Sequence, residues 1–137
     1  MIDPHGKMGT GKPQRVLLLD WKGTLGLLED PAAFIKTLQV QGDFCVLSSF
    51  GGCPSETRRL FNMIHSKSGS RHDLMVDLDQ CGVVTKEIVV VDDSIWAAFD
   101  HVDAAFYEKQ TGVPWCFHHV QGIPSLKQLV SSEVPHP

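Results

Sequence analysis

The apolar residues of this chain fall into two kinds of run. Val16, Leu17, Leu18 and Leu19 are unbroken and lead straight into Asp20; Ile88, Val89, Val90 and Val91 lead straight into Asp92 and Asp93. Short runs that are apolar on both faces read as strands buried in a parallel sheet. The pattern predicts strands at about 15–20, 44–47, 87–92 and 114–120, with a weaker one at 74–76. The second kind of run has helical spacing. Asp30 can cap a helix that Pro31 opens, with Phe34, Ile35 and Leu38 on one face and Gly42 ending it. Pro54 opens a helix to about 66 that buries Leu60, Phe61 and Ile64. A short helical or irregular piece is expected near 79–84. Ser94 caps a helix carrying Ile95, Ala98, Phe99, Val102 and Phe106 at i, i+3, i+4, i+7 spacing, and a last helix covers 125–130. Alternating strands and helices predict an α/β fold: a central five-stranded parallel sheet in a three-layer α/β/α, Rossmann-like arrangement. The domain is expected over 14–132, with a disordered arm at 1–13 and a tail at 133–137. The loops at 26–30 and 49–53 are too short to hold an inserted cap domain.

If strands 15–20 and 87–92 are neighbours, Asp20, Asp92 and Asp93 converge at the C-terminal edge of the sheet. Open α/β sheets bind ligands at that edge. Carboxylates at close range repel, so such a cluster suits a hard cation, most often Mg²⁺.

Composition narrows the reading. A net charge of -4 gives no general attraction for nucleic acid or an anionic membrane. No apolar run approaches the roughly 18–20 residues of a membrane span, and the N-terminus lacks an apolar signal region. The expected compartment is the cytoplasm, with the nucleus left open. The four cysteines, Cys45, Cys53, Cys81 and Cys116, form no CxxC pair and suit a reducing compartment. Cys45 and Cys116 lie in apolar runs and read as small hydrophobes. Lys67, Arg71 and His72 read as a solvated loop.

Two motif matches fail on chemistry. Gly6-x4-Gly11-Lys12 begins like a nucleotide-binding loop, but Pro13 stands where a hydroxyl should meet Mg²⁺, and a strand follows instead of preceding it. Cys53-x5-Arg59 has the spacing of a cysteine phosphatase loop, yet Pro54 removes a donor and Glu56 adds negative charge. His118 and His119 face opposite ways on a strand, so a shared metal is not expected. Trp96 and Phe99 read as core, whereas Trp21, beside Asp20, can line an entrance.

Asp20-x-x-Gly23-Thr24-Leu25 after a strand resembles motif one of the haloacid dehalogenase (HAD) superfamily of phosphotransferases. Ser48, at the end of strand two, resembles its motif two, and Asp92-Asp93 its motif four. The resemblance spans about 15–130, and the short loops resemble the capless subgroup, some of whose members act on phosphoproteins or nucleic-acid ends. It implies a HAD fold without a cap and Mg²⁺-dependent hydrolysis of a phosphate monoester, on a bulky or macromolecular substrate. Asp20 would be the nucleophile, forming an aspartyl-phosphate. Mg²⁺ would be held by Asp20, the Lys22 carbonyl, Asp93 and Asp92. Ser48, with Ser49, Gly23 and Thr24, would surround the phosphoryl group.

Two departures qualify the resemblance. Lys22 occupies the position of the usual acid/base aspartate, whose loss costs about 10²–10⁴-fold in rate. The motif-three lysine has no counterpart over 76–80. Lys86 precedes strand four, and Lys67 and Arg71 precede the strand expected at 74–76, all at the wrong edge of the sheet. Lys22 is therefore expected to supply the missing positive charge. The alternative reading is a pseudoenzyme that keeps the pocket as a phospholigand- or protein-binding module.

Overall fold

The structure, a computed structural model, describes residues 8–49, 51–66, 69–93 and 101–130. Strands and helices alternate along it: β1 (Pro13–Leu19), α1 (Pro31–Val40), β2 (Phe44–Leu47), α2 (Ser55–Arg58), β3 (Met63–Ile64), α3 (Arg71–Gln80), β4 (Val84–Asp92), α4 (His101–Thr111), β5 (Trp115–His119) and α5 (Ile123–Lys127). The strands form one sheet in the order β3-β2-β1-β4-β5, and every pairing is parallel. The expected five-stranded α/β architecture, with helices on both faces, is therefore present.

Alternation along the strands divides the core into two layers. Leu17, Leu19, Cys45, Leu47, Val89 and Val91 point to the face covered by Ile35 and Leu38 of α1 and by Leu126 and Leu129 at the C-terminal end. Val16, Leu18, Phe44, Val46 and Ile88 point to the other, under Leu74 and Leu78 of α3 and Tyr107 of α4. Helix α1 begins as expected. The Asp30 side chain accepts the Ala33 N–H at 3.1 Å, Pro31 opens the first turn, and Gly42 at φ +108 carries the chain away from its end.

The third strand lies elsewhere than expected. The helix after Pro54 stops at Arg58, and the chain then pairs Met63 and Ile64 with Val46 and Leu47. Asn62 directs this change: its side-chain oxygen accepts the Cys45 N–H and its own N–H donates to the Cys45 carbonyl, both at 2.9 Å. Phe61 is buried, but Ile64 on the strand is exposed. Residues 74–76, expected as a strand, belong to α3. Ser70 caps that helix by accepting the Asp73 N–H at 3.0 Å, and it buries Leu74 and Leu78 one turn apart while Val76 faces solvent.

Two further expectations on burial are corrected. Cys116 is exposed on β5, whereas Cys45 is buried. Phe106 is also exposed, because its face of α4 lies under the Arg71 guanidinium, 5.8 Å from the ring centre, and not under the core. The expected cap Ser94 and the core residues Trp96 and Phe99 lie outside the described residues. Of the expected arm, residues 8–13 are described: the Gly9 N–H donates to the Cys81 carbonyl at 2.7 Å, and Pro13 begins β1.

At the N-terminal edge of the sheet, Arg15 on β1 makes two bonds to the carboxylate of Asp43, at 2.9 and 2.7 Å, and a third to the Leu129 carbonyl. This fork ties β1 to the start of β2 and to the C-terminal end. The Asp43 hydrogen bond raises the Arg15 pKa further above its ordinary value. Asp20, Asp92 and Asp93 gather at the opposite edge.

Candidate metal centre

From β1 the chain builds outward to β2 and β3, then crosses back to β4 and β5 on the other side. The strands whose connections diverge, β1 and β4, leave a crevice beyond their C-terminal ends. Their register pairs Leu19 with Val91, and the Asp20 N–H continues the ladder by donating to the Val91 carbonyl at 3.0 Å. Asp20 and Asp92 are thus brought side by side by the two apolar runs that precede them.

One carboxylate oxygen from each of Asp20, Asp92 and Asp93 lies within 4.8 Å of the other two. Asp20 and Asp92 are buried, 5% and 1% exposed, and Asp93 is exposed. Carboxylate oxygens gathered this closely, on two side chains shielded from water, make a setting that favours a cation among them. Their number, hardness and spacing suit a divalent cation bound by oxygen. The triad could hold a metal ion.

The turn after β1 gives physical meaning to the spacing Asp20-x-x-Gly23-Thr24-Leu25. The Trp21 carbonyl accepts the Thr24 N–H at 3.1 Å and the Gly26 N–H at 2.8 Å, which folds the segment into a tight coil. Gly23 sits at φ +75, and a Cβ there would collide with the Asp93 carboxylate. Thr24 is fully buried and its hydroxyl donates to an Asp20 carboxylate oxygen at 3.3 Å. Leu25, also fully buried, anchors the coil in the core. The Lys22 side chain is exposed and Trp21 is half-buried against the α1 layer.

Ser48 lies on the next strand over, at the same edge, where its N–H donates to the Leu19 carbonyl at 2.8 Å. That N–H belongs to the sheet, which leaves the hydroxyl as the Ser48 donor for a ligand. The Ser49 hydroxyl instead shapes its own loop, donating to the Gly51 carbonyl at 3.0 Å and accepting the Gly51 N–H at 3.3 Å.

One contributor was missed in the sequence. On β5, His119 pairs in register with Asp92, and its Nε2 lies 3.1 Å from the Asp93 carbonyl. A carbonyl only accepts, so Nε2 carries the hydrogen, and Nδ1 accepts from the Gln121 amide at 3.3 Å. The imidazole therefore steadies the Asp93 turn. Only the register of β5 against β4 could have revealed this. Both adjacent histidines are half-buried, where alternation on a strand would leave one buried and one exposed, and His118 Nε2 lies 2.6 Å from the Ser125 carbonyl.

The new position of β3 overturns one objection to the motif-three candidates. Lys67 and Arg71 follow the third strand in the chain instead of preceding it. Arg71 is committed elsewhere, stacking 3.9 Å from the Tyr107 ring centre and donating to Gln110 at 2.7 Å. Lys67 lies outside the described residues. Lys86, in the first half of β4, borders a groove at the N-terminal edge, away from the triad.

The cysteine-loop reading loses further ground. Cys53 is buried, and burial pushes its thiol pKa up against the opposing pull of Arg58. A nucleophilic thiolate needs the reverse. Among the described residues, no helix is long and apolar enough to cross a membrane. Comparisons with protein-family models, curated proteins and solved structures found no match for this chain.

Proposed function

We propose that this chain is a capless HAD-like phosphatase that hydrolyses phosphate monoesters with Mg²⁺, through an aspartyl-phosphate on Asp20. The observation that carries the reading is the meeting of Asp20, Asp92 and Asp93 at the crevice between β1 and β4. The Gly23-Thr24-Leu25 coil adds to it, since Gly23 leaves room for the Asp93 carboxylate, Thr24 donates to Asp20 and Leu25 anchors the coil in the core.

In this reading Asp20, Asp92, Asp93 and the Lys22 carbonyl hold the cation. Bound Mg²⁺ supplies the positive charge that lets a carboxylate approach a phosphate dianion. The Asp20 carboxylate attacks phosphorus while Thr24 and the sheet fix its orientation. The bond from phosphorus to the ester oxygen breaks, and the leaving oxygen takes a proton from water. A water molecule then attacks the phosphorus of the aspartyl-phosphate, releasing inorganic phosphate and restoring Asp20. The Ser48 hydroxyl donates to a phosphoryl oxygen throughout. The connections from β1 to α1 and from β2 to α2 are short, so exclusion of water falls to the substrate. That favours a bulky or macromolecular phosphate ester.

The position of Lys22 favours a second reading, a phospholigand- or protein-binding module without turnover, because no carboxylate stands ready there to shuttle the proton. Hydrolysis of p-nitrophenyl phosphate with Mg²⁺ separates the two, since its leaving group needs little acid assistance. Turnover that disappears in Asp20→Asn supports the phosphatase. Mg²⁺ binding without Asp20-dependent turnover supports the module. If the Lys22 substitution is what slows the chemistry, Lys22→Asp should raise turnover toward the 10²–10⁴-fold that such a group contributes. In this reading Lys22 supplies the positive charge that no motif-three lysine provides, and Lys22→Ala should weaken phosphate binding.

A further inference from the structure

A second pocket lies at the same edge of the sheet as the triad. It is about 240 Å³ in volume and is lined by Leu47, Ser49, Gly51, Cys53, Arg58 and Ile64. Leu47 and Ile64 are the last residues of β2 and β3, so the floor is the C-terminal end of the sheet beside β1. The loop that walls it also approaches the triad's own turn: a side chain placed on Gly52 would touch the Trp21 ring at 3.7 Å, and Trp21 follows Asp20. Ser49 belongs to both regions, since it borders the pocket and follows Ser48.

The charge of this pocket is one-sided. The Arg58 side chain is exposed; among the described residues it makes one hydrogen bond, to the Cys53 carbonyl at 3.2 Å, and forms no ion pair. Most of its five N–H donors remain available, in the planar fork that suits a carboxylate or phosphate. Among the described residues no acidic side chain lines the pocket, and burial pushes the Cys53 thiol pKa up. Glu56, on the same short helix, is exposed and is not part of the lining. Leu47 and Ile64 add apolar wall, and Ser49 and Gly51 add polar groups.

We propose that this pocket is a substrate subsite in which Arg58 binds a second anionic group, a carboxylate or a phosphate, on the phosphate ester held at the triad. The proposal rests on the phosphatase or phospholigand reading above and narrows it to ligands with two separated anionic groups. A ligand bearing phosphate alone would leave Arg58 unused.

The test is calorimetric, on the full chain with saturating Mg²⁺, and needs no turnover. The ligands are inorganic phosphate, a series of phosphonocarboxylates of increasing chain length, and α,ω-bisphosphonates of matching length. One length should bind roughly tenfold or more tighter than inorganic phosphate, the gain expected of a charge-assisted contact. Arg58→Gln should abolish that gain and leave inorganic phosphate affinity unchanged. Arg58→Lys should restore part of it, and Arg59→Gln should change nothing. Preference between the two series identifies the second anion as carboxylate or phosphate. Mg²⁺-dependent phosphate binding with no length preference, or with one indifferent to Arg58→Gln, overturns the subsite and leaves the function reading standing. Absence of any Mg²⁺-dependent phosphate binding overturns both.

Discussion

Replacing Gly23 with alanine has to overcome two separate obstacles. The backbone there lies at φ +75, where a Cβ is strained, and the new methyl would meet the Asp93 carboxylate. Strain of this kind costs about 1–3 kcal/mol. Gly23→Ala should therefore lower the stability measured by denaturant unfolding by that amount, and it should weaken divalent-cation binding as well, because Asp93 must move. Full retention of both would mean that the turn is looser than described. Chemistry at Cys53 offers a second residue-scale check. Burial raises its thiol pKa, so at pH 7.5 less thiolate is present than on an ordinary cysteine. Iodoacetamide should label Cys53 more slowly than a free thiol in the folded protein, and denaturation should remove the difference. Rapid labelling of Cys53 in the folded state would revive the cysteine-loop chemistry that its environment argues against.

Elements register which residues are buried together. Leu74 and Leu78 are buried on α3 and Val76 between them is exposed. Leu74→Ala should cost about 2–5 kcal/mol, and Val76→Ala should stay within about 0.5 kcal/mol. Equal losses at 74 and 76 would contradict the helix. The sequence misleads here because Leu74, Met75 and Val76 are all apolar and the window is short. The Ser70 cap, three residues before Asp73, was the available signal for a helix start. The strand at Met63 and Ile64 had no comparable signal, since two residues carry no period. What makes them a strand is Asn62 capturing both backbone groups of Cys45, a contact 17 residues distant along the chain. The long apolar runs were legible for the opposite reason: a strand buried on both faces needs an unbroken series, and β1, β2 and β4 each have one. The convergence of Asp20 with Asp92 and Asp93 followed from those runs. The contribution of His119 did not, because it depends on the register of β5.

The molecule as a whole keeps two polar clusters at opposite ends of one sheet. Arg15 and Asp43 lock the N-terminal edge through a bidentate pair that is mostly buried, with Asp43 7% exposed. Removing one partner leaves the other charge stranded, so Asp43→Ala should destabilise the fold by about 3 kcal/mol without altering cation affinity. Loss of cation binding in that variant beyond what unfolding explains would couple the two edges. The C-terminal edge has the reverse character. Its triad gathers three carboxylates at a spacing that could hold a metal ion.

Thermal unfolding of the wild-type chain and of Asp20→Asn, with and without Mg²⁺, addresses that centre most directly. The account predicts that Mg²⁺ raises the wild-type Tm, with a gain that grows with concentration and reaches about 2.7 kcal/mol at 100 times Kd. It also predicts that Asp20→Asn gains little when Mg²⁺ is added. A wild-type Tm indifferent to Mg²⁺, or a variant that responds as fully as wild type, would contradict it.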